Sequence, residues 1–520
     1  MPELKPETKQ ALTATVAHWR DTDLDTYAEL ERGRAGHIEL LLEPETEAEL
    51  ADLVQALRAH GVQTCTIAGQ SGLVEAQRPH GVAIGMWRFD AIGELTLPDG
   101  TRVPPEDLAS VPDRTDGAPL HGATLRVGAG VAIDAVNAAL APAGLKLPIV
   151  MGSTGSATAG ACAANASAGA NAVRYGTAAD MAVHVRGVLG TGEVVAEDVP
   201  PRQPVTDPDQ CVIRADRFLH GASLVGSQGA LGLVTEVTYR LYPVARDKAA
   251  LLLPVPDVAT AIHLRDQLAA RFASDTVALE LFEIIRHQTL QRALAHAELA
   301  LRDGAREAQY YALVLLVSDE PGGESVFGST FAEAVITHAM TALTGPDGAP
   351  CYPEGDFDFD HDPHRLLEIR EACSEMSRLL PKQSYDVVVP PARLDRFVAD
   401  LEAAMADAHP AFELSVFGHA GVGALHLHAI ASDDATLARH RDAIDTLVFD
   451  LVQAHHGSPW AEHGVGRKWG AEWQRRTPRA VQEEMLRLKR ACDPDNVLGS
   501  RLFGFDTLLE DAGDRPGPGA

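Results

Sequence analysis

The sequence predicts an α+β fold of more than one domain, and three observations carry that expectation. The chain has 520 residues, which at roughly 150 residues per domain makes about three domain-sized units. Residues 37–72 read as strand, helix, strand and glycine loop. From about residue 246 the texture changes, and helical stretches alternate with β-rich ones.

Composition narrows the function. With 44 Lys+Arg against 73 Asp+Glu the net charge is −29. That argues against non-specific nucleic-acid binding, which needs clustered cations to neutralise phosphates, and against docking on anionic lipid. With 46% hydrophobic and 22% charged residues the chain is globular rather than disordered. Cys65, Cys162, Cys211, Cys351, Cys373 and Cys492 form no Cys-x-x-Cys pair. They suit reduced buried thiols in a cytoplasmic protein better than a disulfide framework or a cysteine zinc site. The N-terminus lacks a basic-then-apolar signal pattern, and no stretch approaches the ~20 apolar residues of a membrane span.

The elements follow in order. Residues 4–36 read as a polar helical lead-in, and 37–42 (HIELLL) as a strand. Thr46 and Glu49 have capping-box spacing: a threonine oxygen can accept the third helical N–H while a glutamate reaches back. Leu50, Leu53, Val54 and Leu57 then mark one helical face, ending near Gly61. A strand at 62–67 runs into Ala68-Gly69-Gln70-Ser71-Gly72. Pro, Asp and Gly crowd 98–122, a surface insertion. A strand at 125–127 and a helix at 132–141 come next. Residues 151–171 are almost all Gly, Ala, Ser, Thr and Asn. Such low complexity often marks a linker, but strands bracket this run, and Thr158 and Asn165 sit among small apolar residues. It is read as a packed segment whose backbone lies close to a ligand. Strands at 181–189 and 193–196 flank Gly190-Thr191-Gly192, and a glycine loop at 226–232 leads into a strand at 233–241. Beyond 246, helices are expected at 258–273, 288–302 and 330–343, with β structure at 311–318, 385–390, 413–417 and 424–430. The last residues, 506–520, end in RPGPGA and read as a frayed tail.

Glycine loops can cradle phosphate by offering backbone N–H groups with no Cβ in the way. None here carries the Gly-Lys-Ser/Thr of a Walker loop. Gly128-Ala129-Gly130 is followed by Val131-Ala132-Ile133, so the dinucleotide fingerprint fails at its third position. The loops taken together resemble another family. Ile67-Ala68-Gly69-Gln70-Ser71-Gly72-Leu73 looks like its R-G-G-G-T-G-L loop. Residues 152–160 and Asn165-Ala166-Ser167-Ala168-Gly169 look like its S-x-G-x-x-x-I-G-G and N-A-G-G segments. Arg174-Tyr175-Gly176-Thr177 matches R-Y-G-x, and 226–232 matches G-S-E-G-T-L-G. On these motifs, spread over roughly 37–505, the chain resembles the D-2-hydroxyacid dehydrogenases of the vanillyl-alcohol oxidase/p-cresol methylhydroxylase flavoproteins. Ile67, Ala68, Gln70 and Gln228 depart from the pattern.

The resemblance implies a two-subdomain FAD-binding domain of the p-cresol methylhydroxylase type and an α+β cap with an antiparallel sheet. The boundaries expected are 1–245 for the FAD domain with its lead-in, 246–470 for the substrate- and metal-binding cap, 471–505 for a helical segment returning to the FAD domain, and 506–520 for the tail. It assigns flavin contacts to Ala68, Gly69, Gln70, Ser71 and Gly72 in the first loop. In the small-residue segment it assigns Gly152, Ser153, Thr154, Gly155, Thr158, Gly160, Ala163, Asn165 and Ser167, and beyond it Gly229, Leu231, Gly232 and Val234. The first loop lacks the histidine through which some members bond to the flavin, so FAD is expected to be non-covalent.

Residues 416–428 hold His419, His426 and His428 around a glycine-rich turn, read as strand–loop–strand. His419 and His426 are seven residues apart, and folding at 421–423 can bring them together. Glu462-His463-Gly464 follows some thirty-odd residues later. Two histidines and one carboxylate fit a metal site with an open position; satisfied structural histidines are the alternative. The family pattern G-H-x-G-D-G-N-x-H-x-N is matched at His419 and His426, and its E-H-G at Glu462 and His463. It implies that His419, His426 and Glu462 bind a divalent metal (zinc, with manganese or iron as alternatives) and that His463 is the catalytic base. Val422, Ala424 and His428 stand where the family has Asp, Asn and Asn, which marks His428 as a substrate contact. Arg370 and Ser374, one helical turn apart, match the family's carboxylate-binding pair, and Lys382 its lysine, slightly displaced. Arg378 is read as solvated, the acidic run 356–364 with His361 and His364 as an exposed loop with a second metal site as the alternative, His455-His456 as a helix end, and Arg467-Lys468 as a surface pair or a source of positive potential near the substrate.

The chemistry accounts for these residue types. Oxidising an alcohol beside a carboxylate removes a hydroxyl proton and a carbon-bound hydride. A metal lowers the alcohol pKa, an imidazole titrating near ~6.5 takes the proton, and flavin N5 takes the hydride. The expected function is oxidation of a D-2-hydroxy acid such as D-lactate or D-2-hydroxyglutarate to the 2-oxo acid. Electrons would pass to a quinone, a cytochrome or an electron-transfer flavoprotein. A flavin oxidase, a zinc hydrolase without flavin and a non-catalytic subunit of a glycolate-oxidase-like complex are the alternatives. The expected location is cytoplasmic; peripheral contact with the inner face of the membrane and a homodimer are left open.

Overall fold

The computed structural model describes residues 4–30, 33, 35–111, 120–202, 205, 207–218, 222–274, 277–319, 330–360 and 363–511. The fold is α+β, as expected. A four-stranded sheet runs, in spatial order, Trp19–Arg20, His37–Leu42, His80–Gly85, Thr64–Ile67, its last three strands parallel. Helix Glu47–His60 packs Leu50, Leu53, Val54 and Leu57 against it. Thr46 Oγ1 accepts the N–H of Glu49, and Gly61 closes the helix at φ +61°. Glu49 reaches back one residue further than a capping box requires, to the N–H of Glu45. The lead-in is not one helix: it holds only Pro6–Thr13, Trp19–Arg20 and Asp25–Ala28. Asp23 at φ +56° breaks it.

An antiparallel six-stranded sheet follows, in the order Val194–Asp198, Ala182–Leu189, Gly232–Arg240, Thr124–Gly128, Ile92–Thr96, Arg102–Val103. Arg186 and Thr235 from its strands both bind the Glu47 carboxylate, which ties helix Glu47–His60 across the two sheets. The insertion at 98–122 carries strand Arg102–Val103 and a 3-10 turn, Pro105–Ser110, and its residues 112–119 lie outside the described residues.

The third sheet is antiparallel and seven-stranded: Asp358–Asp360, Asp247–Val255, Tyr310–Ser318, Val277–Arg286, Glu413–Gly418, Ala424–Ile430, Lys382–Val388. Strands Asp247–Val255 and Val277–Arg286 escape the sequence reading. Their runs of apolar residues lack alternation because both faces of the sheet are covered. Leu251 and Leu253 pack with helices Val258–Arg271 and Phe331–Thr341, whereas Ala250 and Leu252 pack with His287–Ala297 and His364–Glu375. The helix expected at 288–302 stops at Ala297, where Glu298 turns left-handed at φ +55°. The acidic run 356–364 is not a plain surface loop. Asp358 is buried in a strand, and Arg365 pairs with Asp358 and Asp360; His361 lies outside the described residues. The expected tail begins with a helix, Phe505–Asp511, whose Phe505 is buried, and 512–520 lie outside the described residues.

A buried cluster joins the first half of the chain to the third sheet. Glu280 accepts hydrogen bonds from Lys146, Asn171, Arg174 and Tyr175. The Arg-Tyr motif thus has a structural partner. At the other end Lys489, fully buried, donates to the carbonyl oxygens of Ala230 and Leu498 and to Asp493, which fastens helix Arg479–Cys492 to the third glycine loop.

Candidate active site

One cavity of about 820 Å³ runs from the glycine loops to the histidine cluster. Its size falls in the usual range for a cofactor site. From the first loop it is lined by Ala68, Gly69, Gln70, Ser71 and Gly72. From the small-residue segment come Gly152, Ser153, Thr158, Gly160, Asn165 and Ser167, and from the third loop Gly229, Gly232 and Val234. The segment 151–171 is packed and contains a short helix, Ala159–Asn165. Four expected contacts do not line the cavity. Ala163 and Leu231 are turned into cores, the carbonyl of Thr154 accepts the N–H of Asp134, and Gly155 sits near the Asp134 carboxylate.

The first loop lies hard on the second. A Cβ at Gly69 would come 1.7 Å from Ser156 O, so only glycine fits. Gln70, where the family has glycine, is held at φ +53° with its amide donating to the carbonyls of Tyr27 and Glu29. Gln228 is also left-handed, at φ +55°. Its Oε1 accepts the N–H of Gly466, which links the third glycine loop to the turn after His463.

The histidine cluster sits on the seven-stranded sheet. Glu413–Gly418 and Ala424–Ile430 form the expected hairpin, with a 3-10 turn at Ala420–Val422. Register does the rest: His426 pairs with Phe417 on one side and Asp386 on the other, and His428 with Ser415 and Ser384. Side chains two apart on a strand share a face. His426, His428, Ser384 and Asp386 therefore point together, toward helix His364–Glu375.

His419 Nε2 lies 3.3 Å from Glu462 Oε1. One ligand atom each from His419, His426 and Glu462 fall within 4.8 Å of one another, as do those of Asp386, His426 and His463. The His426 and His463 rings stack at 5.6 Å. Arg370, 7% exposed, donates from Nε to Glu283 and from Nη1 to Glu371; Nη2 binds no described residue. Ser374 and Lys382 line the same end of the cavity. Arg378 is exposed at its mouth, Lys468 is exposed beside Trp469, and Arg467 donates to the carbonyl of Arg78. His455 caps a helix end, as read from the sequence.

Two acids that the sequence reading passed over organise the site. Glu283, 1% exposed, lies between Arg370 Nε (3.1 Å) and His419 Nδ1 (2.8 Å). Asp386 accepts the N–H groups of Glu462 and His463. The one sequence signal was an acid within an apolar strand, as at LELFEIIR and SYDVVV.

Electrostatics follow from this packing. Burial pushes Glu283 up, but Arg370 and His419 outweigh it and hold the carboxyl down at about 2. Burial pulls His419 down, yet Glu462 and Glu283 raise it to about 10. Burial lowers His426 to about 3 against the pull of Asp386, so its ring is neutral. Glu462 is held below the ordinary carboxylate value: burial raises it, and His419 more than compensates. The cluster thus offers one neutral imidazole, one ionised carboxylate and a second imidazole whose two acidic neighbours favour a cation there.

Comparison with known proteins gives two family matches. Residues 38–197 match a family described as FAD binding domain, and residues 244–501 one described as FAD linked oxidases, C-terminal domain. The chain is similar to a D-2-hydroxyglutarate dehydrogenase of Xanthomonas citri pv. viticola, 27% identical over 88% of this chain and 88% of that protein. It is similar to a D-lactate dehydrogenase of Archaeoglobus fulgidus, 25% identical over 71% of this chain and 75% of that one. Among solved structures, p-cresol methylhydroxylase with substrate bound has a similar fold, with a TM-score of 0.65 at 12% identity over 95% of this chain and 96% of that chain. Among the described residues no helix is long and apolar enough to cross a membrane.

Proposed function

The chain belongs to the FAD-linked oxidases, and from that premise we propose that it oxidises a D-2-hydroxy acid to the 2-oxo acid with non-covalent FAD and a divalent metal. One observation carries the reading: a single cavity joins the three glycine loops to the set His419, His426 and Glu462, with His463 and Arg370 on its wall.

The residues fit both groups. Thr158 Oγ1 is buried beside the glycine loops with no hydrogen-bond partner, and a Cβ at Gly229, at φ +79°, would enter open space. Both suit a ligand lying against these backbones. In the metal set, Glu462 Oε1 is buried without a hydrogen bond, His426 is neutral, and the carboxylates that favour a proton on His419 favour a divalent cation for the same reason. When bound, FAD would supply the hydride acceptor and the metal a Lewis acid for the hydroxyl.

The chain's own residues do the rest. Arg370 offers Nη2 to the substrate carboxylate while Glu283 and Glu371 hold its other nitrogens. His463, its side chain 32% exposed, takes the hydroxyl proton. An Nδ1–H facing Asp386, 3.4 Å away, would leave Nε2 as the basic nitrogen. Ser374, one helical turn from Arg370, stands with it at the substrate carboxylate, and Lys382 and His428 are further substrate contacts on the cavity wall. Residues up to about 245 form the FAD domain and 246–470 the cap, with 471–505 returning to the FAD domain through Lys489 and the bridge between Thr64 and Leu498. Electrons leave to a quinone, a cytochrome or an electron-transfer flavoprotein.

A dye-linked assay with D- and L-2-hydroxy acids tests the reading. The expected result is a yellow protein that forms 2-oxo acid from D substrates. Purified protein that lacks the flavin band, and gains none with added FAD, would sink it.

A further inference from the structure

Asp386 lies in strand Lys382–Val388 and is 9% exposed. Its neighbour in space is the segment 458–463. Backbone pairing joins the two at one end: Ser458 and Val388 exchange both hydrogen bonds, and the N–H of Ala461 donates to Asp386 O. There the backbone pairing stops. The next two amides, of Glu462 and His463, donate instead to a single side-chain oxygen, Asp386 Oδ2, at 2.8 and 2.7 Å. These are short, charge-assisted bonds.

The geometry has a consequence for the side chains. In an extended chain, consecutive residues point to opposite faces. Two consecutive N–H groups converging on one oxygen bend the backbone into a concave turn. Glu462 then reaches His419 at 3.3 Å while its neighbour His463 stacks on His426. The same carboxylate faces both imidazoles, with Oδ2 3.4 Å from His463 Nδ1 and Oδ1 3.7 Å from His426 Nδ1. Oδ1 is buried with no hydrogen bond, so it has no competing partner.

We propose that Asp386 is a positioning residue of the reaction: by accepting both amides it turns Glu462 and His463 onto one site, and its second oxygen orients His426. This rests on the reading of His419, His426 and Glu462 as a metal site and of His463 as the proton acceptor. A carboxylate is suited to the task because one oxygen can take two donors while the other faces an imidazole.

The test compares the FAD-loaded wild type with Asp386→Ala and Asp386→Asn, measuring bound FAD, zinc affinity, kcat and KM. Alanine removes the acceptor, so zinc affinity should fall about 10- to 100-fold, as for other outer-sphere partners of metal ligands. Asparagine keeps an oxygen for the two amides but loses the charge. Its NH2 replaces the oxygen that faces His426 Nδ1, so zinc affinity should fall as well, and at saturating zinc kcat should be about 10- to 100-fold lower with KM unchanged. Unchanged zinc affinity in a folded alanine variant would overturn the proposal. So would an asparagine variant with wild-type kcat, one that loses FAD, or one whose KM rises as far as kcat falls, since the last two mark a merely structural residue. If the alanine variant does not fold, the kcat-against-KM split of the asparagine variant decides alone. Failure of the underlying reading shows in the wild type, as no zinc bound and no D-2-hydroxy acid oxidised; failure of this proposal shows only in the variants.

Discussion

Replacing Glu280 by Gln removes one charge from the cluster that joins the small-residue segment to the third sheet. Glu280 is 4% exposed. Oε1 accepts from Lys146 (2.8 Å) and Asn171 (3.3 Å), and Oε2 from Arg174 (3.0 Å) and Tyr175 (2.8 Å). Hydrogen bonds to a charged group contribute about 1.5–3 kcal/mol each, and desolvating the ions costs several kcal/mol per ion. The intact cluster therefore contributes little net. Breaking it is another matter, because a glutamine amide turned either way sets its NH2 against a donor. Burial already pulls the Lys146 ammonium below its ordinary value, and Glu280 is what opposes that. Stranding the cations should cost about 3–5 kcal/mol. The pH dependence has a definite sign. Burial raises Glu280, but Lys146, Tyr175 and Arg174 outweigh it and hold the carboxyl below its ordinary value. Its stabilisation is present above the unfolded value near ~4.3 and is lost as pH falls through the lower folded value. Urea unfolding of wild type and Glu280→Gln, followed by flavin fluorescence and far-UV circular dichroism, should show the full gap at pH 7 and a narrowing gap below pH ~4. A gap at pH 7 within the ~0.5 kcal/mol of an ordinary surface change, or one that widens on acidification, would refute the reasoning.

Other outcomes follow from the site. His463→Ala should keep FAD and metal but slow flavin reduction about 10²- to 10⁴-fold, the usual contribution of a general base; stopped-flow reduction at the wild-type rate would remove His463 from the mechanism. His426→Ala should lose the metal while retaining FAD, and metal analysis showing full occupancy would remove His426 from the site. Gly69→Ala places a Cβ 1.7 Å from Ser156 O, so the loop must shift; FAD should dissociate from this variant on gel filtration, and tight retention would show that the two loops do not need this contact.

Local pattern made part of the site legible. His419 and His426 could be paired from sequence because the glycines between them allow a hairpin, and Thr46 and Gly61 bound their helix through their own backbone preferences. Asp386 could not be read in this way. Its value comes from register, which sets it opposite His426, and from the segment 458–463 folding back onto its strand. Glu283 and Glu280 are likewise acids in an apolar strand whose partners lie more than eighty residues away in sequence. A bulge at Glu280 breaks the alternation that could have shown which face each takes. The two long strands at 247–255 and 277–286 were hidden because burial on both faces removes the period-two signal. Ala163 and Leu231 carry family motif positions, yet their side chains fill cores rather than the cavity.

The central claim is that a D-2-hydroxy acid bound at His419, His426, Glu462 and Arg370 reduces the flavin held by the glycine loops. Anaerobic mixing of the purified protein with matched D and L enantiomers, followed by the yellow flavin band, tests it directly. Bleaching is expected with the D enantiomer of at least one 2-hydroxy acid and none with its L partner. A flavin that stays oxidised with every D-2-hydroxy acid, or that bleaches equally with both enantiomers, would contradict it.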